Sequence, residues 1–231
     1  MRAFDWKIFA EFYVKIIPYL RVTFTYTLLS VLLGTVLGAW IAVMKLSRFR
    51  ILKVIGNFYT VVMRCVPSIV MLFLIYYGLP VFFQENFGLD IYNVNGLVFV
   101  ICSFSLLLAA PISEIIRTSY LAVPKGQFEA GVMVGLSQKQ VIQKIILPQG
   151  MKIAFPNFGN IFIFMMKEGA LAYMIGIQDV LGRGYYLNGL KSNVFSMETY
   201  TALALIYWPC TIFLEKVFAC IEKRGGMTDG H

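Results

Sequence analysis

Five long apolar stretches constrain this chain more than any other feature of its sequence. Each is long enough, at about 1.5 Å of helix rise per residue, to cross a hydrocarbon core about 30 Å thick. Of the 231 residues, 59% are hydrophobic and only 14% are charged, which is too little charge to cover a soluble domain. The sequence therefore predicts an all-α membrane protein with one transmembrane domain over residues 1–231. Its spans are expected near 22–44, 54–83, 95–123, 153–178 and 199–221.

Basic residues cluster at one set of the connections between these stretches. They follow the first, third and fifth stretches, whereas the two other connections are acidic or mixed in charge. Because cytoplasmic loops carry an excess of lysine and arginine, this pattern predicts an N-terminus outside and a cytoplasmic C-terminus. Topology thus accounts for the net charge of +8, and we expect no nucleic-acid partner because the basic residues form no continuous stripe.

Residues 1–18 precede the first span and follow a different pattern. Their apolar side chains recur at helical spacing with charged residues between them, at Phe4, Ile8, Phe12 and Ile16. This spacing is typical of an amphipathic helix lying at a membrane surface, and a solvated lead-in to the first span fits equally well.

Small residues and prolines inside the apolar stretches bear on helix packing. The first span repeats a small residue every four positions, at Gly34, Gly38 and Ala42. Such a seam lets another helix approach closely, which is one way for two copies to associate, but it is also common in membrane helices. Three prolines lie where each can kink or break a span: Pro67, Pro111 and Pro209.

Side chains that support enzyme chemistry are scarce. The only histidine is His231, and the four cysteines have no paired metal-ligand spacing. The sequence contains no G-x-x-x-x-G-K-[ST] phosphate loop, so work driven by ATP would need the nucleotide bound by another chain. We therefore expect no catalytic residue, no metal site and no cofactor in this chain, and do not expect it to be an enzyme.

Four charged residues stand deep in the predicted spans, where an unpaired charge costs several kcal/mol. Arg64 lies about 16 Å along a helix from the inner surface, Lys167 and Glu168 lie within a long uncharged run, and Glu114 lies in the third span. One interpretation pairs these groups with charged neighbours, Glu114 with Arg117 and Arg64 with Glu168. The other is that they bind the carboxylate and ammonium groups of a zwitterionic substrate.

The longest inner loop, residues 124–150, has the composition of two short helices. Gly135 suits the end of the first helix, and Ser137 with Gln140 forms a capping box for the second, which we expect to end by Leu147 because Pro148 follows. The second helix presents an apolar face of Val141, Ile142 and Ile145. Physical arguments leave two alternatives open: a helix lying on the inner leaflet, or one docking in a groove of a soluble partner.

This loop resembles the cytoplasmic EAA loop of permease subunits in ATP-binding-cassette (ABC) importers. The resemblance comes from the triplet Glu129, Ala130 and Gly131, from Gly135, and from Ile145, Leu147 and Pro148. The family usually has alanine where this chain has Gly131. By this resemblance, these residues couple the chain to an ATPase.

Other motifs are similar to those of the permeases for polar amino acids such as histidine, glutamine, arginine and cystine. They are residues 64–67 (RCVP) with 76–80 (YYGLP), 113–117 (SEIIR) and 167–171 (KEGAL). The last motif departs from the family, because glutamate replaces aspartate and two hydroxyl side chains are missing.

The resemblance implies the fold and the partners of such a permease. It implies a type I ABC importer permease in a bacterial inner membrane, paired with an identical or sister permease. Two cytoplasmic ATPase subunits bind ATP and Mg, and an extracytoplasmic binding protein delivers the amino acid. Arg64, Glu114, Lys167 and Glu168 are then the expected substrate contacts, with Arg64 the first choice for the carboxylate.

Two other classes of protein use similar features. A self-sufficient secondary transporter or channel subunit would have the same buried charges without an ATPase, and an assembly subunit would use them only to neutralise one another. Against the transporter stand the docking loop and the small number of spans. The sequence leaves the particular amino acid open.

Overall fold

A computed structural model describes residues 3–224, and every regular element in this part of the chain is helical. His231 lies outside the described residues. The α-helices are α1 (Trp6–Ile16), α2 (Leu20–Leu46), α3 (Arg50–Cys65), α4 (Ser68–Phe73), α5 (Leu79–Phe87), α6 (Gly96–Ala122), α7 (Lys125–Met133), α8 (Gln138–Val141), α9 (Leu147–Glu168), α10 (Val180–Gly189) and α11 (Ser196–Arg224).

Five helical stretches within the described residues are long and apolar enough to cross a membrane. They are Trp6–Leu46, Ser68–Phe87, Gly96–Ala122, Gln138–Ile175 and Ser196–Lys223. The expected all-α fold with about five spans is confirmed. The third and fifth stretches match the predicted limits within a few residues. The second stretch begins later than predicted because the helix breaks at Pro67, and the fourth begins earlier because the helix continues through Pro148.

Helices α2 and α6 pack against each other along the small-residue seam of the first span. A Cβ atom on Gly34 would stand 3.0 Å from Leu108 Cβ, and one on Gly38 would stand 2.8 Å from Ile112 Cγ2. Ala42 is also buried. The seam therefore joins two helices of one chain, and it is not free to act as a contact between copies.

Pro67 breaks the helix inside the second predicted span, residues 54–83, where the sequence indicated a kink or a break. Helix α3 ends at Cys65, Val66 has extended backbone dihedrals, and α4 begins at Ser68. The break occurs here because the residue before a proline avoids the helical region. Pro111 and Pro209, in contrast, lie inside the continuous helices α6 and α11.

Two leucine-proline pairs lie in unbroken helical stretches, and each follows a π turn. The turn at Leu74–Gly78 precedes Pro80, and the turn at Ile142–Ile146 precedes Pro148. The extra residue of a π turn moves the carbonyl that the proline ring would otherwise strike. Our expectation that the second loop helix ends by Leu147 is therefore wrong, because the helix continues through Pro148 to form the fourth stretch.

Helix α1 lies against α10 and α11. Phe12 and Ile16, from the apolar set expected in residues 1–18, are buried there, and the backbone N–H of Asp5 donates to Glu198 at 2.8 Å. On the polar side of the helix, Lys15 pairs with Glu11 at 2.6 Å. The amphipathic pattern thus serves packing within the chain, and the position of residues 1–18 at the membrane surface stays a prediction.

The contact between α2 and α6 predicts a large effect of side-chain size at Gly38. In Gly38→Leu the added side chain would overlap Ile112 and the carbonyl oxygen of Ala109, so we expect a loss of about 1–3 kcal/mol in the free energy of unfolding. Thermal unfolding of the purified protein in detergent measures this loss. Gly78→Leu is the control, because no heavy atom lies within 4 Å of a Cβ built there. Equal losses in the two variants would contradict the packing argument.

Candidate functional site

A groove with polar side chains in a largely apolar lining opens between α3, α6 and α9. It has a volume of about 390 Å³. Its lining consists of Arg64 from α3, Pro111, Glu114 and Ile115 from α6, and Asn157, Asn160, Ile161 and Phe164 from α9. The groove therefore combines a guanidinium, a carboxylate and two amides with an aromatic ring.

Arg64 occupies the last turn of α3, just before the break at Pro67. Its side chain is exposed, and within the described residues it forms no ion pair. The pairing with Glu168 that the sequence left open is absent there. An arginine in this state presents its planar N–H donors to the groove, where they match the geometry of a carboxylate.

Glu114 is held by two cations. Its Oε1 accepts a hydrogen bond from Lys45 Nζ at 2.8 Å, and its Oε2 lies 2.8 Å from a terminal guanidinium nitrogen of Arg117. Lys45 Nζ also donates to Ser113 Oγ at 2.7 Å, and the Lys45 side chain is only 1% exposed. The pairing of Glu114 with Arg117 is confirmed, and its second partner comes from the end of α2.

One face of α9 carries the polar residues from Asn157 onwards, together with Phe164. At 100° per residue, five side chains fall within an arc of about 100°: Asn157, Asn160, Phe164, Lys167 and Glu168. Lys167 is exposed and Glu168 is partly buried, and neither forms an ion pair within the described residues. Both lie beyond the residues that line the groove, at the end of the same face.

The groove suits a small molecule that carries both charges. Arg64 and Glu114 line the groove, whereas Lys45 and Arg117 contact Glu114 without lining it. The guanidinium of Arg64, which has no ion pair within the described residues, favours an anionic group, while the amides and the remaining lone pairs of Glu114 can pair with polar hydrogens. Within residues 3–224, no three His, Cys, Asp or Glu side chains gather as metal ligands.

The loop between the third and fourth stretches forms a helical hairpin. Gly131 of α7 is buried, and a Cβ atom there would stand 2.8 Å from Val141 Cγ2 and 3.0 Å from Ile145 Cδ1. The lack of a side chain at Gly131 thus lets α7 lie directly on the following helical turns. Gly135 has φ of +88°, which favours glycine, and Ser137 with Gln140 forms the expected capping box.

The outer surface of this hairpin is apolar at its tip. Met133, the last residue of α7, and Val134, directly after it, are 88% and 77% exposed. Glu129 and Ala130 of α7 are also exposed. Leu147 and Pro148 are exposed at the start of α9, whereas Ile145 is partly buried inside the hairpin. The residues that we assigned to coupling therefore form two groups: those that hold the hairpin together and those that are exposed on its surface.

Family comparisons agree with this architecture. A model of the family described as "Binding-protein-dependent transport system inner membrane component" matches residues 34–225. The chain belongs to that family. The match begins in the middle of α2 and includes the groove, the hairpin and the other four stretches. The resemblance drawn from the sequence motifs is therefore confirmed.

Relatives of this inner membrane component cover nearly its whole length. The L-cystine transport system permease protein TcyL of Bacillus subtilis is 35% identical over 96% of this chain and 92% of its own. The putative glutamine transport system permease protein GlnP of Rickettsia felis is 31% identical over 93% of this chain and 95% of its own.

Two solved structures share the fold. A chain from the crystal structure of an amino acid ABC transporter with histidines has a TM-score of 0.83 and 29% identity, covering 96% of this chain and 100% of that one. A chain from the MetNI methionine ABC transporter in an inward-facing conformation has a TM-score of 0.66 at 18% identity, covering 90% and 92%. The fold is thus that of a type I ABC importer permease.

Sequence reasoning missed three polar residues of this inner membrane component. We placed Lys45 in a loop, but α2 continues through it, and Lys45 follows the Gly34, Gly38 and Ala42 seam on the same helix face. Asn157 and Asn160 are uncharged, so a search for charges passed over them. Helical spacing from Lys167 backwards was the signal that could have found both asparagines.

The Lys45 contact predicts non-additive effects on stability. Lys45→Met keeps most of the side-chain volume but removes a buried donor, so we expect a loss of about 1–3 kcal/mol in the free energy of unfolding. Glu114→Gln should cost a similar amount, and the double variant should cost less than the sum, since it lacks the buried Lys45 ammonium that Glu114→Gln alone leaves without its carboxylate. Thermal unfolding in detergent of all four proteins measures this coupling. Simple additivity would contradict a direct Lys45–Glu114 interaction.

Proposed function

We propose that this chain is the membrane-spanning permease subunit of an ABC importer that moves a polar amino acid into the cytoplasm. The groove with the unpaired Arg64 carries this proposal, because it offers a carboxylate site inside a family of transport components. The names of relatives, which include cystine and glutamine systems, support an amino acid as cargo. Cystine and basic amino acids are the first candidates.

In the proposed site, Arg64 binds the carboxylate of the cargo. Glu114, fixed by Lys45 and Arg117, keeps one face of the groove polar and attracts the ammonium group. Asn157 and Asn160 lie in the same groove, and their amides can donate to and accept from cargo. Lys167 and Glu168 then contact the cargo at the far end of the α9 face.

The hairpin at 124–150 is the proposed link to the energy source. Glu129 and the exposed tip at Met133 and Val134 dock in a cytoplasmic ATPase, with Gly135 turning the chain and Gly131 and Ile145 holding the hairpin together. Two ATPase subunits bind ATP and Mg, and their closure moves the spans mechanically. This chain contributes the pathway and no catalytic residue.

The proposed assembly follows from the membrane topology. The chain lies in a bacterial inner membrane with its hairpin in the cytoplasm, its N-terminus outside and residues 1–18 near the outer surface. A second permease, identical or a sister chain, completes the pathway. An extracytoplasmic binding protein delivers the amino acid, as the family description implies.

Uptake by the complete complex in proteoliposomes tests the groove. With radiolabelled cystine, glutamine, histidine and arginine offered separately, the wild type identifies the cargo. Arg64→Ala should lower its uptake about 10- to 100-fold, the expected effect of losing a charge-assisted hydrogen bond of about 1.5–3 kcal/mol. Arg50→Ala, another exposed arginine of the same helix, should leave uptake unchanged. The proposed site is wrong if Arg64→Ala transports normally, and a purely structural role is indicated if the complex fails to assemble.

Copurification tests the hairpin. The tagged chain, extracted from its native membrane in mild detergent, should bring an ATPase subunit with it. Glu129→Arg should abolish this association, because it reverses the charge on the exposed docking surface. Glu85→Arg makes the same change on an exposed glutamate near the end of the second stretch and should have no effect. If the wild-type chain comes out alone, the coupling proposal fails and a self-sufficient transporter becomes the better explanation.

A further inference from the structure

Tyr26 of α2 is among the largest fully buried side chains of the molecule, and it connects two distant segments. Its ring lies directly against Gly169, so closely that a Cβ atom at this glycine would overlap the ring. Its hydroxyl donates to Asp179 Oδ2 at 3.0 Å, across 153 residues of sequence. Tyr26 thus touches the residue after Glu168 and, at the same time, the start of α10.

Asp179 is fully buried, and both of its carboxylate oxygens accept hydrogen bonds. Oδ2 accepts from Tyr26, and Oδ1 accepts from the backbone N–H of Gly182 at 2.8 Å, which caps α10. Beside it, the backbone N–H of Val180 donates to Thr23 Oγ1 at 3.3 Å. The first helix turns of α10 are therefore tied to α2 at two adjacent positions.

The backbone changes form where Tyr26 meets it. Helix α9 ends at Glu168, and a 3-10 helix runs over Gly169–Ile175. Met165, Gly169 and Ala172 are buried on the side of Tyr26, and Tyr26, Met165 and Ala172 belong to one apolar cluster. Lys167 and Glu168 lie on the more open side of the same turn. The direction of these two side chains is set by how this turn is seated on the Tyr26 ring.

We propose that Tyr26 and Asp179 are positioning residues that hold Lys167 and Glu168 in place for the cargo. The hydrogen bond between them fixes the Tyr26 ring, and the ring fixes the backbone at Gly169. This inference rests on the proposed function, because it takes Lys167 and Glu168 as cargo contacts. Neither Tyr26 nor Asp179 touches the cargo.

Because Asp179 can ionise, its contribution to the stability of the protein depends on pH, and this dependence can be measured. Burial raises the pKa of Asp179 to about 6. The titratable groups that face it are Tyr26 from α2 and Tyr207 from α11. Because the folded pKa lies above the ordinary value of 3.8, the stability that this group contributes is present at acidic pH and is lost as the pH rises through about 6.

The main test measures cargo selectivity in proteoliposomes that contain the complete complex. The readout is the ratio of uptake of the preferred amino acid to uptake of the next best, because a smaller folded fraction lowers both rates equally and leaves the ratio unchanged. Lys167→Ala should change the ratio, and Tyr26→Phe should shift it in the same direction, by about fivefold for one lost hydrogen bond. Tyr185→Phe, which removes the hydroxyl contact of Tyr185 on α10 to Tyr200 on α11, is the matched control and should leave the ratio unchanged.

Substitutions at Asp179 separate positioning from general structure. Asp179→Asn should retain the wild-type ratio, since the amide oxygen still accepts from Gly182 and the amide nitrogen can donate to the Tyr26 hydroxyl oxygen. Asp179→Ala removes both contacts and should shift the ratio as Tyr26→Phe does. In detergent, the unfolding temperature of Asp179→Asn relative to wild type should rise as the pH is raised from 4.5 to 7.

The outcomes distinguish this inference from the proposed site. If Lys167→Ala changes the ratio but Tyr26→Phe and Asp179→Ala do not, the positioning inference is overturned and the cargo site survives. If neither Lys167→Ala nor Glu168→Gln changes the ratio, both residues lose their role as cargo contacts, and the inference falls with them. If Tyr26→Phe does not assemble, Asp179→Ala and Asp179→Asn still decide the question.

Discussion

The close contact of α2 with α6 is the packing on which the groove and the segment after α9 depend. Gly34, Gly38 and Ala42 let the two helix backbones approach, so that dispersion contacts replace the hydrophobic driving force that a lipid environment cannot supply. The same helix carries Tyr26 towards one end and Lys45 at the other. Helix α2 therefore acts as a common support for the groove and for the segment that follows α9.

Lys45 and Arg64 differ in how they avoid the free-energy cost of burying an unpaired charge. Lys45 is almost fully buried and is satisfied by Ser113 and Glu114, an arrangement that needs two helices held at a fixed distance. Arg64, in contrast, lies exposed at the groove in the last turn before the break at Pro67. In the proposed function the satisfied group is structural and the open one binds the cargo, since an unpaired arginine retains its capacity to bind a carboxylate.

The groove and the hairpin share the same two long helices. Helix α6 carries Glu114 and leads into α7, while α9 carries the asparagines and begins at the π turn that closes the hairpin. In the proposed function, a displacement of the hairpin therefore acts on two of the three helices that line the groove. The π turn before Pro148 makes this possible, because it allows one helical stretch to run from the hairpin past the groove.

The sequence by itself determined the number of spans, the membrane environment and the helical hairpin, since apolar length, charge asymmetry and capping residues act over a few turns of one segment. Motif spacing also identified the family. Only the tertiary structure decided which partners the charges have: that Lys45 pairs with Glu114, that Arg64 does not pair with Glu168, and that the glycine seam is filled within the chain. Such partners depend on which helices become neighbours and at what depth, and no periodicity within one helix contains that information.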